Sequence, residues 1–392
     1  MDLVKDIHKS EYGENPDVVV STPGRFHLIG EHSWFFKDKT LSMGINLPVY
    51  IAVSFRDDNT LAFYFPQLKD RKKISLSAMK FRKEDRWANS IKAMVYGFTS
   101  GGFEVKGMNF TVYSDILPSG GFGITTAIKV GSAYAIRELH QFKCDENQLI
   151  QIISRGNLKF LGSNNYLSAI LTAIHTKENS IVLTDHTTKS CEILPFNFPE
   201  KKIVLVDAKV PRVSIWNEEI IREPESALLL GELKDRKSYV RGGWTYEENP
   251  HEVNLVLSVA PEFIHQKLNS VIMEHKFVLD AWDGLEKNSF GKFARAVNHS
   301  HENMRDEYDI SCPEIDWILK RLQEINPNVE DSRNPTSCGR ITGKGFGRVA
   351  YTILNRSDVD EFKKRLSEYE RIFGFKATCT EVKPAGGVHI VK

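Results

Sequence analysis

The sequence predicts an α+β protein of two lobes, on three observations. Strand-like and helix-like segments are interleaved without regular βαβ repetition, which favours α+β over a doubly wound sheet. At 392 residues the chain can bury two cores, or one large two-lobed core. A Pro- and Lys-containing junction, Pro195 to Lys202, divides a mixed first half from a mostly helical second half. The lobe boundary is placed there, giving an N-terminal lobe of residues 1–195 and a C-terminal lobe of residues 196–392.

The elements follow from local pattern. Val18 to Val20 and Phe26 to Ile29 read as two short strands around a Pro23-Gly24 turn. Leu61 to Phe65 alternates and ends at Pro66, as a half-buried strand does. Trp87 to Phe98 has helical spacing and stops at Gly101-Gly102. Met108 to Tyr113, with Phe110 and Val112 alternating, is a strand leading into Pro118. Ile124, Ile128, Gly131 and Ala135 then recur at helical spacing, so a helix begins near Thr125. Asp145 to Arg155 and Tyr166 to His175 are helical, and Ser180 to Thr184 and Ile203 to Val206 are strands. Ile220 to Gln323 is mostly helical, and Asn326 to Thr336, polar with two prolines, is a loop. Arg348 to Leu354 and Gly386 to Val391 close the chain as strands.

Composition excludes several classes. The chain is 41% hydrophobic and 26% charged, as ordinary globular proteins are, and its net charge of +1 implies no bulk attraction to nucleic acid or anionic membrane. The short basic run Arg71-Lys72-Lys73 is diluted by acidic neighbours and reads as a solvated face. No apolar run approaches a membrane span, and Met1 to Pro16 is too charged for a secretory signal. Five scattered cysteines without a CxxC pair favour reduced thiols in the cytoplasm over a disulfide framework or a zinc site. The sequence does not identify a protein partner.

Three segments carry chemistry. Pro23 to His32 places Arg25, Glu31 and His32 on one strand-turn unit, a set suited to hydroxyls and phosphates; a structural ion pair with a satisfied histidine would use the same residues. Ile116 to Ala127 has the outline of a phosphate loop: Gly120, Gly121 and Gly123 permit close backbone approach, a helix N-terminus follows, and Thr125 and Thr126 offer hydroxyls to phosphate or Mg²⁺. The bulky Phe122 interrupts that cradle, and a plain turn would also use these glycines. Arg340 to Gly347 holds three glycines at alternate positions, as a close backbone contact or a hairpin turn would.

Together, in this order, the three segments resemble galactokinases, members of the GHMP small-molecule kinase superfamily. Gly24-Arg25 through Leu28-Ile29-Gly30-Glu31-His32 is nearly the family's signature. Trp87-Ala88-Asn89 with Ile91-Lys92 is similar to the segment whose Trp lies beside the adenine. Ser300-His301 and Met304 through Asp316 match a helical segment of the C-terminal lobe, and Thr342-Gly343 to Gly347 the last glycine motif. The resemblance runs from about residue 20 to the C-terminus and implies a two-lobed fold with the active site between the lobes. It also implies ATP and Mg²⁺ as cofactors and a small-molecule sugar as partner, with Thr125 as the candidate metal contact.

The departures from the family gather in the implied site. Arg25 matches the family arginine held near the catalytic Asp, but the family's Met-Asp-Gln segment is Ser163-Asn164-Asn165 here, which puts Asn164 at the position of the Asp. Trp34 replaces a carboxylate that grips sugar hydroxyls, Trp216 replaces a sugar-contacting Tyr, and Phe122 replaces the last glycine of the phosphate loop. Lys344 and Arg348 replace small residues of the last motif, where they contact an anion or face solvent. If the Phe122 ring fills the triphosphate site, ATP cannot bind as in the family; if it turns into the core, the glycine turn can still hold phosphate. The expectation is a galactokinase-family pseudoenzyme, a non-catalytic or ligand-binding relative. The alternative is an active ATP-dependent kinase acting on a hydroxyl of galactose or another small sugar-like substrate.

Overall fold

The computed structural model describes residues 2–31, 39–117, 120–163, 167–210, 262–325, 334–343 and 348–391. Its first sheet is built along a long strand that local pattern did not reveal. β1 (Val18–Ile29) pairs antiparallel with β2 (Lys39–Phe55) along nearly its whole length. On the other side of β2, β5 (Met108–Ser114) pairs with its second half and β6 (Ser180–Asp185) with its first residues. β3 (Thr60–Phe65) lies parallel to β5 and carries β4 (Asp70–Ser75) at the edge. β7 (Ser190–Pro195) pairs with β6, and the last strand of the chain, β12 (His389–Ile390), returns to β1.

The expected turn at Pro23-Gly24 is a correction: Val18–Ile29 is one strand. Its register with β2 shifts between Thr22 and Gly24, so the irregularity absorbs Pro23, which has no N–H for the ladder. The basic run Arg71-Lys72-Lys73 lies in β4; charged side chains are a common device at an exposed sheet edge.

Side chains alternate across this sheet. Val20 and Ile51 face the main core, where Gly131 of α3 (Ile124–Leu139) approaches Ile51 closely. α2 (Ala88–Thr99), α4 (Glu146–Arg155) and α5 (Leu167–His175) also contribute apolar residues to that core. Val19 and Ala52 face the other way and are covered by Val4 of α1 (Asp2–Tyr12). No helix among the described residues is long and apolar enough to cross a membrane.

The second sheet has four antiparallel strands in the order β11 (Thr378–Val382), β8 (Lys201–Asp207), β10 (Val349–Asn355), β9 (Cys338–Ile341). Ile203, Leu205, Tyr351 and Ile353 join the main core together with Val278 of α6 (Glu262–Glu286) and Phe293 of α7 (Phe290–Asp306). Val204, Val206, Ala350 and Leu354 point to the opposite face. There α8 (Pro313–Gln323), α9 (Val359–Arg365) and α10 (Tyr369–Phe373) cover them with Ile318, Phe362 and Tyr369. A sheet buried on both faces is continuously apolar, which explains why β8 and β10 were legible.

One buried histidine fastens α1 to the first sheet. His8 lies between Thr111 Oγ1 at 2.9 Å and Ser54 Oγ at 3.0 Å. Burial outweighs the nearby Glu14 and Asp17 and lowers its pKa to about 4. The folded pKa lies below the unfolded value, so the unfolded chain binds more protons in this window. The contribution, about 3 kcal/mol, is present above about pH 6.5 and falls as pH drops towards 4. Urea unfolding at a series of pH values should show stability falling between about pH 7 and pH 4.5. The His8→Gln variant should show a shallower fall, and identical slopes for the two proteins would refute this account.

Candidate active site

Two polar positions of β1 lie two residues apart, so they share a face of the strand. Arg25 and His27 are both buried, and Arg25 Nη1 lies 3.4 Å from His27 Nδ1. The same ring nitrogen is 3.3 Å from Glu31 Oε1, and His27 Nε2 is 3.0 Å from Ser168 Oγ in the first turn of α5. Burial and then the Arg25 charge lower the His27 pKa against the pull of Glu31, so the ring is neutral. Both neutral tautomers are satisfied. With Nδ1 protonated it donates to Glu31 and Nε2 accepts from Ser168; with Nε2 protonated it donates to Ser168 and Nδ1 accepts from Arg25.

This chain of contacts links the arginine to the start of the helix that Asn164 precedes. Asn164 itself, and the expected sugar contacts His32, Trp34 and Trp216, lie outside the described residues. On the N-terminal side of Asn164, a π-helical turn at Gly156–Phe160 ends α4, and Ser163 N–H donates to the Asn157 carbonyl at 3.1 Å. Such turns are rare and concentrate at functional sites.

The glycine turn between β5 and α3 resolves the question of Phe122. Its ring is 1% exposed and meets Phe26 edge-on, with centroids 6.1 Å apart. It lies against Gly120, where a Cβ would come within 2.3 Å of the ring. The Phe122 carbonyl accepts the Arg25 backbone N–H at 3.0 Å, joining the turn to β1. Gly121 has φ +78° and touches the backbone of Gly343; a Cβ there would lie 2.7 Å from Gly343 Cα. Gly123, also with positive φ, starts α3 without a side-chain cap. Among the described residues no side chain caps the first-turn N–H groups, which lie beside the exposed Thr125 and the half-buried Thr126.

The second sheet holds both halves of this site. Thr342 Oγ1 is within hydrogen-bond distance of two carbonyls, Gly120 at 2.8 Å and Val349 at 3.0 Å. Tyr351 O–H donates to the Leu28 carbonyl at 2.8 Å. Glu274 of α6 accepts the Gly30 N–H at 3.0 Å and pairs with Arg340 at 2.9 Å. Both charges are essentially inaccessible to water, and Ser300 bonds to each of them. Arg348, one of the two cations noted in the last motif, pairs with Asp207 at 3.2 Å; Lys344 lies outside the described residues. The Trp87 indole N–H donates to Asp70 at 2.9 Å and its ring meets Phe65 edge-on.

Sequence reading found Arg25, Glu31 and the glycines but gave no role to His27, Ser168, Glu274 or Arg340. His27 and Arg340 stood inside quoted motifs. Ser168 lay at the end of the segment matched to the family's Asp region, with its partner His27 141 residues away, and Glu274 had no local signal, its partner Arg340 lying 66 residues away.

This fold of two sheets is that of the GHMP small-molecule kinases. Methanococcus jannaschii mevalonate kinase superposes with a TM-score of 0.64 at 15% identity, covering 94% of this chain and 98% of that one. Within that class the chain belongs to the galactokinase family. It is 37% identical over 398 residues to a Treponema pallidum (strain Nichols) protein named "Putative galactokinase", covering 100% of this chain and 97% of that protein. Residues 6–55 match the family model described as "Galactokinase galactose-binding signature". A Streptococcus thermophilus (strain ATCC BAA-491 / LMD-9) galactokinase is 22% identical, with 99% of this chain and 98% of that protein covered. Lactococcus lactis galactokinase, crystallised with galactose, superposes with a TM-score of 0.86 at 19% identity, covering 99% of each chain.

Two stability measurements check this geometry. Phe122→Ala should cost about 3–5 kcal/mol in urea unfolding, because it empties a core site. A neutral result would mean the ring does not fill the core. Glu274→Ala should cost about 3–5 kcal/mol by leaving Arg340 buried and uncompensated, and Glu274→Leu combined with Arg340→Met should recover part of the loss. A loss below about 1 kcal/mol in the single variant would mean the pair is not desolvated as described.

Proposed function

We propose that this chain binds a nucleotide in the galactokinase cleft and is not an efficient galactokinase. The nucleotide half of this reading is carried by the placement of Phe122. With its ring in the core, Phe122 does not obstruct the first turn of α3, which has no side-chain cap, or the Thr125 and Thr126 hydroxyls. ATP fits this set, and its chemistry is to supply a transferable γ-phosphoryl group. Mg²⁺ held mainly by phosphates and waters needs few protein oxygens, and the Thr125 hydroxyl suits one of them.

The impaired half rests on residue chemistry. The Asn164 amide has no basicity with which to take a proton from a sugar hydroxyl, and losing a positioned base typically costs about 10²–10⁴ in rate. Trp34 and Trp216 remove two polar partners for the sugar; a site lacking the hydroxyl-binding groups loses much of its selectivity. Phosphoryl transfer depends mainly on positioning and electrostatics, so a residual rate is compatible with Asn164. One observation favours the alternative of an active kinase for galactose or another small sugar-like compound: Arg25, His27 and Glu31 are held together in one contact cluster. The five free thiols suit a cytoplasmic setting.

Thermal unfolding with and without MgATP tests the first half. Nucleotide at about 100 times its Kd should stabilise the protein by about 2.7 kcal/mol, and no shift with any nucleotide refutes it. Galactose phosphorylation tests the second half. The Asn164→Asp, Trp34→Asp double variant should turn over galactose at least about 10²-fold faster than the natural chain. Family-like turnover by the natural chain would instead establish the alternative.

A further inference from the structure

Lys129 is the only charged residue of α3 between Ile124 and Ile136. The surrounding positions Ile128, Val130, Ala133 and Ile136 are buried and apolar. A cation placed among them has a cost, because partial burial removes water from a charge. Lys129 is half-buried and makes no hydrogen bond or ion pair among the described residues, and burial alone lowers its pKa to about 8.

Its place on the helix gives this cation a direction. Thr126 and Thr125 are its neighbours three and four residues back, in the first turn. Side chains on a helix lean towards its N-terminus, and a long one covers the turn before its own Cα. Four residues rise about 6 Å, which an extended lysine spans. Helix register thus puts Thr125 and Thr126, in the first turn of α3, on the face that a Lys129 side chain leaning towards the N-terminus covers. A phosphate there would restore the charge partner that Lys129 lacks, through a charge-assisted hydrogen bond.

We propose that Lys129 is a phosphate-contacting residue, binding the anionic phosphate chain of the nucleotide together with Thr125, Thr126 and the first-turn amides of α3. This rests on the nucleotide reading above and names a ligand-binding residue within it. Isothermal titration of the natural chain, Lys129→Met and Lys129→Arg with MgATP, adenosine and inorganic tripolyphosphate tests it. Lys129→Met should weaken MgATP and tripolyphosphate about tenfold or more and leave adenosine unchanged, while Lys129→Arg keeps most of the affinity. Without ligand, Lys129→Met should melt at the same temperature as the natural chain or higher, since a partly desolvated cation is gone. Unchanged MgATP affinity in Lys129→Met overturns the proposal. So does an equal loss for adenosine accompanied by a lower melting temperature, which would make Lys129 a packing residue. Tripolyphosphate binding that depends on Lys129, without ATP binding, supports Lys129 and overturns the nucleotide reading. Binding of neither by the natural chain overturns both.

Discussion

The buried pair of Glu274 and Arg340 is the interaction on which the geometry of the cleft depends. Neither charge meets water, so each must be answered inside the protein. Glu274 has more acceptor capacity than one guanidinium uses, and it applies the remainder to Ser300 and to the Gly30 N–H at the end of β1. A buried ion pair is weak evidence for stability but fixes geometry firmly, because any displacement exposes an uncompensated charge to an apolar surround. The strand end that carries Glu31 is thereby located by a helix and a strand of the other half of the chain. Tyr351 at the Leu28 carbonyl and Thr342 at the Gly120 carbonyl act on the same two segments. The second sheet thus positions the polar end of β1 and the glycine turn relative to one another.

This constraint explains how the phosphate turn tolerates a phenylalanine. Gly121 lies against Gly343, and the Phe122 carbonyl receives the Arg25 N–H, so the backbone path is set by its neighbours. Along that path the side chain at position 122 points inward, over Gly120 and against Phe26. A large apolar ring there adds core volume without entering the ligand side. The substitution that looks most damaging in the sequence is therefore absorbed by packing.

Legibility in the sequence followed the range of the forces involved. α3 and β5 were legible because their spacing is local: Phe110 and Val112 alternate in β5, and Ile124, Ile128, Gly131 and Ala135 recur at helical spacing in α3. β2 was missed: its burial changes along its length, with a partly exposed stretch around Asn46 to Pro48 between two buried ones, so no single period runs through it. β1 was divided in two because Pro23 and Gly24 usually signal a turn, whereas a bulge in a long antiparallel pair accommodates both. α1 shows only two buried residues, Val4 and His8, on an otherwise polar helix, and it is set by its contact with the sheet. At the site, Arg25, Glu31 and the glycines were legible as motifs. The partners that orient them were not, since no local pattern records that a glutamate on a distant helix meets Gly30.

The proposed site divides into a half that would bind anions and a half that would handle a proton, and the two have different requirements. Anion binding uses backbone N–H groups, hydroxyls and a cation, all of which tolerate changes in side-chain detail while the backbone path is held. Glu274, Thr342 and Tyr351 hold that path by hydrogen bonds from outside the turn. Proton transfer needs one group of the right basicity at one position, and no packing can give an amide that property. On the proposed reading, an amide at position 164 weakens proton handling, whereas Phe122, packed in the core, leaves the start of α3 clear. A chain with the proposed site is physically able to keep its nucleotide while its reaction slows, and the fold it shares with galactokinase does not distinguish the two cases.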